Sequence, residues 1–166
     1  AEHNMLPPDN VQESPAQVVA PRTSPTNIGM YLLAAVAARD FGWISLSGTV
    51  ERVAATLTTV EKLERFRGHL YNWYDTRRLA PLEPRYISSV DSGNLAAHLI
   101  AVSSALEDWA QAPAAHLQGD FNGILDTVAV VEQSLADLPD DRHQLRPLRQ
   151  RLGERIRGVR NAATAL

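Results

Sequence analysis

The sequence predicts an all-α fold of antiparallel helical hairpins, with a small irregular β-hairpin between its second and third helices. Apolar residues recur at helical spacing in five separate stretches, and no stretch sustains the period-two alternation of a half-buried sheet. The connections between successive stretches are short, which favours antiparallel neighbours. Helix punctuation is also present: Ser24-Pro25 offers a hydroxyl cap followed by proline at the first helical position, and Gly42 stands where a helix end takes a left-handed residue.

Taken in order, residues 1–23 contain Pro7, Pro8, Pro15 and Pro21 and no apolar period, so they are expected to run extended over a surface rather than form an element. Helix 1 follows from Ser24-Pro25 to Asp40, with Ile28, Tyr31, Leu32, Ala35 and Val36 on one stripe and many small alanines that permit close packing. Helix 2 is expected over 47–65, with Val50, Val53, Leu57, Val60 and Leu63 inward and Glu51, Arg52, Glu61 and Lys62 outward. The aromatic runs 70–74 and 86–90, separated by Arg77-Arg78, two prolines and Glu83, read as the hairpin. Helix 3 starts near Asp91-Ser92 and runs to about Trp109 on Leu95, Leu99, Val102 and Leu106. Helix 4 takes 121–138 through Ile124, Leu125, Val128, Val131 and Leu135. Helix 5 takes 142–163, and Pro147 in its first turns predicts a later start or a kink. All 166 residues fit a single helical domain behind the extended segment 1–23.

Composition excludes several classes of function. No run approaches the roughly 18 uninterrupted apolar residues of a membrane helix. The sequence has no cysteine, which excludes disulfides and thiolate metal sites, and its five histidines lack metal-ligand spacing. No cofactor or metal is expected. The net charge of −3 divides unevenly: residues 139–166 carry seven arginines against three acids (+4), and residues 1–138 carry nine bases against sixteen acids (−7). No aromatic is interleaved with the basic tail, and Leu145, Leu148, Leu152, Ile156 and Val159 recur at helical spacing within it, so it reads as a solvated helix face and not as a nucleic-acid surface.

The stretch 70–94 holds four of the ten aromatics and interrupts an otherwise helical chain. Trp73 and Tyr74 supply flat apolar faces with polar edges, and Asp75, Arg77 and Asp91 supply acceptors and donors beside them. That combination suits a sugar, whose ring faces stack and whose hydroxyls take bidentate partners. The plainer reading makes the aromatics the cap of a helical core. If helices 1, 2 and 3 alternate in direction, the starts of helices 1 and 3, the hairpin and the N-terminal segment collect at one end, and two helix N-termini there favour hydroxyl-rich or anionic groups.

Four blocks carry a resemblance: residues 4–13 (NMLPPDNVQE), 22–33 (RTSPTNIGMYLL), 37–44 (AARDFGWI) and 63–99 (LERFRGHLYNWYDTRRLAPLEPRYISSVDSGNLAAHL). Together they resemble the region of bacterial cyclic β-1,2-glucan synthases that begins the glucoamylase-like segment, between the membrane-embedded glycosyltransferase and the C-terminal phosphorylase-like part. The resemblance spans about residues 4–100, with departures at Met5, Pro21 and Leu70, where the family is expected to carry Trp, His and Phe; nothing is carried over onto residues 101–166. It implies that the chain is a fragment of an (α/α)-barrel, one of whose partners is β-1,2-glucan and whose others are the remaining barrel helices and domains of the parent enzyme. It also implies a place on the cytoplasmic side of the inner membrane, as part of a membrane protein. The positions it marks for glucan contact are Asp9, Asn10, Gln12, Arg22, Asn27, Trp73, Tyr74, Asp75, Arg77, Asp91 and Asn94. The catalytic carboxylates are expected further along the parent chain, and none is assigned here. Two other readings remain: an (α/α)-barrel glycoside hydrolase or phosphorylase relative, and a helical interaction module without a small ligand. Helices 1 and 3 are apolar or small on most of their circumference, which predicts self-association of the isolated chain.

Overall fold

The computed structural model describes residues 2–113, 122–138 and 146–164. Within them the chain is helix-rich, with a few small antiparallel strand pairs: β1 (Val11–Gln12), β2 (Val18–Val19), β3 (Arg22–Thr23), α1 (Pro25–Asp40), α2 (Leu46–Glu61), β4 (Arg65–Phe66), β5 (His69–Leu70), β6 (Tyr74–Asp75), α3 (Ser89–Gln111), α4 (Asn122–Ala136) and α5 (Arg146–Thr164). The chain divides into two compact units, Ala1–Ala37 with Leu46–Leu117, and Ala38–Ser45 with Gln118–Leu166.

The first unit is built on Ile28, Leu32 and Ala35 of α1, Val53 and Val60 of α2, and Val102 of α3, with Leu6, Leu63, Leu70 and Tyr74 from the connecting segments. Burial of a side chain such as Ile28 or Leu32 contributes about 1.5–3 kcal/mol. The Ser24 hydroxyl accepts from the Asn27 amide at 3.2 Å, so α1 begins as its cap residue predicts. Helices α1 and α3 lie side by side and run in the same direction: Asn94 Nδ2 reaches Thr26 Oγ1 at 3.1 Å near their starts, and the His98 ring lies on Gly29 further along.

Several expectations need correction. Segment 1–23 forms the β1–β2 hairpin (Val11↔Val19, Gln12↔Val18), and its last residues pair with β6 (Arg22↔Asp75, Thr23↔Tyr74). Its start is bound to α2, where Thr56 Oγ1 donates to Met5 O at 3.0 Å and Thr59 Oγ1 to Asn4 O at 2.8 Å. A non-repetitive segment that buries Leu6 must find partners for its carbonyls, and threonines on the facing helix provide them. The buried face of α2 is consequently Thr49, Val53, Thr56, Thr59 and Val60, and Val50, expected inward, is 47% exposed. The helix also ends at Glu61, earlier than expected, because Arg65 has already entered β4.

The hairpin lies upstream of the expected position. Strands β4 and β5 pair Arg65↔Leu70 and Phe66↔His69 around Arg67 and Gly68, whose φ values of 49° and 87° are those of a tight turn matched to strand twist. The runs 70–74 and 86–90 share a backbone bond from Asn72 N to Tyr86 O at 2.9 Å, but the second run forms no strand. Ser88 caps α3 with a hydrogen bond from Asp91 N, so the helix starts at Ser89, and Leu99 on it is 37% exposed instead of inward.

In the second unit, Val128 of α4 and Ile156 of α5 are buried, and Arg160 and Glu132 form an ion pair between these helices. Arg149 donates to the carbonyls of Ala136 (3.0 Å) and Leu138 (3.2 Å), satisfying the end of α4. Phe121, the expected start of helix 4, and residues 142–145, at the expected start of helix 5, lie outside the described residues. The described part of α5, Arg146–Thr164, holds Pro147 as its second residue.

Candidate carbohydrate-binding site

The first unit brings a chain of polar contacts across four segments that are distant in sequence. In the N-terminal segment, Asp9 Oδ2 accepts from Arg22 Nη2 at 2.9 Å and Nε at 3.1 Å, a forked contact that fixes the guanidinium plane. Asp9 Oδ1 accepts from Asn27 Nδ2 at 3.2 Å, and Asn10 Nδ2 donates to Asp9 at 3.0 Å. Arg22 places its guanidinium carbon 5.0 Å from the centroid of the half-buried Trp73 ring.

Beyond the indole the contacts continue through Asn72, a residue whose amide orientation is dictated by its neighbours. An indole N–H can only donate and a carboxylate only accept. Asn72 therefore turns Oδ1 to Trp73 Nε1 (2.7 Å) and to the Tyr86 hydroxyl (2.7 Å), and Nδ2 to Asp91 Oδ2 (2.9 Å). Asp91 in turn collects hydrogen bonds from Ser24, Thr26 and Ser88, at the starts of α1 and α3. Burial pushes its carboxyl up, and these hydrogen bonds outweigh burial and hold its pKa below the ordinary 3.8. At Asp9, likewise, burial is outweighed by the bonds from Arg22 and Asn27, and the carboxyl also titrates below 3.8.

The expected residues divide into three groups. Asp9, Asn10, Arg22, Asn27, Trp73, Asp91 and Asn94 belong to this contiguous arrangement or border on it through Thr26. Asp75 is joined to it through the backbone, as the strand partner of Arg22. Its carboxylate closes its own loop, accepting from Arg77 N and Arg78 N at 2.9 Å each and from the Arg78 side chain, and these bonds, the Arg78 amide first, lower its pKa. Arg77 pairs with Glu2, and Gln12 donates to Ala16 O at 3.4 Å across the β1–β2 hairpin.

Tyr74 is a correction. It is 0% exposed, its hydroxyl donates to Glu64 O and accepts from Tyr71 N, both at 2.7 Å, and burial pushes its phenol up. It has no face to offer a sugar and belongs to the core, as the plainer reading of the aromatics holds for this one ring. Asn72, Tyr86 and Thr26 were not singled out from the sequence. An isolated Asn between aromatics in an irregular segment has no periodic signature, and Tyr86 read as a strand residue.

The arrangement offers an aromatic ring beside an arginine, with carboxylates and amides held in fixed directions. Among the described residues no three His, Cys, Asp or Glu side chains gather as a metal site would need, and no helix is long and apolar enough to cross a membrane.

No family model matches the chain. Over all 166 residues it is 57% identical to the cyclic beta-(1,2)-glucan synthase NdvB of Rhizobium meliloti (strain 1021), and it spans 6% of that protein's length. The resemblance read from residues 4–100 is borne out and extends through α4 and α5.

Proposed function

We propose that this chain is the glucan-binding part of an enzyme that makes cyclic β-1,2-glucan by transglycosylation. The observation that carries the reading is identity at 57% of positions across the whole chain with a protein named for that synthesis. The site supports the same reading by its chemistry, since an indole flanked by Arg22 and by ordered carboxylates can bind a glucosyl face and its hydroxyls together. On this reading the glucan contacts are Asp9, Asn10, Arg22, Asn27, Trp73, Asp91 and Asn94, with Asp75, Gln12 and Arg77 at the margin.

The helices belong to a partial (α/α)-barrel of the glucoamylase-like kind, completed by other segments of a longer protein held at the cytoplasmic face of the bacterial inner membrane. The chain by itself releases no sugar and closes no ring, because part of a barrel cannot enclose donor and acceptor together or exclude water from the transition state. Calorimetric titration with linear β-1,2-glucan tests the binding. The chain binds, and Trp73→Ala weakens binding by about 1–3 kcal/mol, the contribution of a large stacked apolar contact. Equal affinity of Trp73→Ala and the unsubstituted chain overturns the assignment of this ring. Cyclic product or reducing sugar released above a heat-killed control overturns the claim of inactivity.

A further inference from the structure

We propose that Asn72 is the positioning residue of this site and that Tyr86 is a second side chain in contact with the sugar. The proposal rests on the glucan-binding reading and adds to it a platform of two rings governed by one buried amide. Asn72 is only 7% exposed, and its Oδ1 is shared between two donors, Trp73 Nε1 and the Tyr86 hydroxyl, each at 2.7 Å. A common acceptor fixes the polar edges of both rings relative to each other. Tyr86 itself is 46% exposed, so its ring keeps a face for a ligand, and Trp73 is half-buried with Arg22 beside it.

The amide is held in turn. Its Nδ2 donates to Asp91, which is bound to the first turns of α1 and α3, and its backbone N–H donates to Tyr86 O at 2.9 Å. Tyr86 is thus bound to Asn72 by both main chain and side chain. A residue needed only to fill core volume would not require all three polar groups of its side-chain amide and main-chain amide to end on two aromatic residues and a helix-start carboxylate. The arrangement reduces the number of side-chain rotamers that binding must freeze, which is how preorganised sites gain affinity.

The test combines the indole N–H resonances of the chain with titration by linear β-1,2-glucan. Substitution of Trp73 by Phe assigns its resonance among those of Trp43 and Trp109. In Asn72→Ala the Trp73 N–H loses its acceptor, so its exchange with solvent accelerates about tenfold or more while those of Trp43 and Trp109 do not change. Glucan affinity falls about tenfold, measured at a temperature where both proteins are folded. A lower melting temperature with an unchanged Trp73 resonance and unchanged affinity overturns the proposal, because a purely structural amide moves only the first.

Two milder variants keep the proposal falsifiable if Asn72→Ala does not fold. Tyr86→Phe removes one of the two donors on Oδ1 and shifts the Trp73 N–H resonance with no change at Trp43 or Trp109; an unmoved resonance overturns the shared acceptor. Tyr86→Ala weakens glucan binding about tenfold, and unchanged affinity overturns the second ring contact. If the unsubstituted chain binds no glucan while the Trp73 resonance responds to Asn72→Ala, the glucan reading falls and the positioning by Asn72 stands.

Discussion

Gly29 shows how a single missing Cβ sets the spacing of two helices. A methyl group built there would stand 2.3 Å from His98 Nδ1 on α3, well inside contact distance. Gly29→Ala is expected to cost about 1–3 kcal/mol by overpacking, measured by urea denaturation, and the double substitution with His98→Ala is expected to recover part of that loss. Additive losses would show that the ring is not the obstacle. Titration offers a second check at this scale. Asp9, Asp75 and Asp91 all have folded pKa values below the ordinary 3.8. Below that value the unfolded chain takes up protons that the folded chain does not, so their contribution is complete above the ordinary carboxylate range and is lost as pH falls through the lowered values. The unfolding midpoint is therefore expected to decline in acid from about pH 4 downward, with a flatter decline in Asp91→Asn. Equal acid slopes for the two proteins would remove Asp91 from the account.

At the scale of elements, α2 departs most from a simple apolar stripe. Its buried threonines provide hydroxyl donors for the carbonyls of Asn4 and Met5, which lie outside any strand, and Thr56 is fully buried against Met5 O. Thr56→Val conserves shape and removes that donor, leaving the half-buried Met5 carbonyl without it. The expected loss is about 1–3 kcal/mol, together with faster proteolysis of residues before Pro7, read by mass spectrometry. Unchanged protection would mean that Asn4, which donates to Thr76 O (2.9 Å) and Arg77 O (3.0 Å), holds the segment alone. The same logic explains the upstream position of the hairpin. Arg67 and Gly68 both take positive φ, and residues 73–75 are already partnered by 80–82, where Asp75 N donates to Ala80 O and Leu82 N to Trp73 O, both at 2.9 Å.

For the whole molecule the outward apolar residues matter most. Val90 and Ile100 on α3 are each more than two-thirds exposed, and Leu99 lies between them in accessibility and Leu95. A helix that leaves such residues in water has an unburied face, and soluble monomers rarely leave large ones. The isolated chain is expected to self-associate, with a mass by light scattering that rises with concentration. A concentration-independent monomer that also binds no hydrophobic dye would contradict this.

Sequence alone determined what depends on neighbours a few residues apart: five helices in order, the Ser24-Pro25 and Gly42 boundaries of α1, and the gathering of the starts of α1 and α3 with the segments around Asp9 and Trp73. Capping, proline geometry and helical period are local properties, and connection length limits the arrangement of helices. The motif blocks also held enough specific residues to point to the cyclic glucan synthases. Tertiary structure decided what depends on partners tens of residues away. It turned the threonine face of α2 inward because residues 4–6 needed donors there, closed Tyr74 into the core because Glu64 O and Tyr71 N satisfy its hydroxyl, and made Asn72 the link between Trp73, Tyr86 and Asp91. A buried polar group is stable only where its donors and acceptors are matched, and that matching is a property of the folded neighbourhood, which no local pattern encodes.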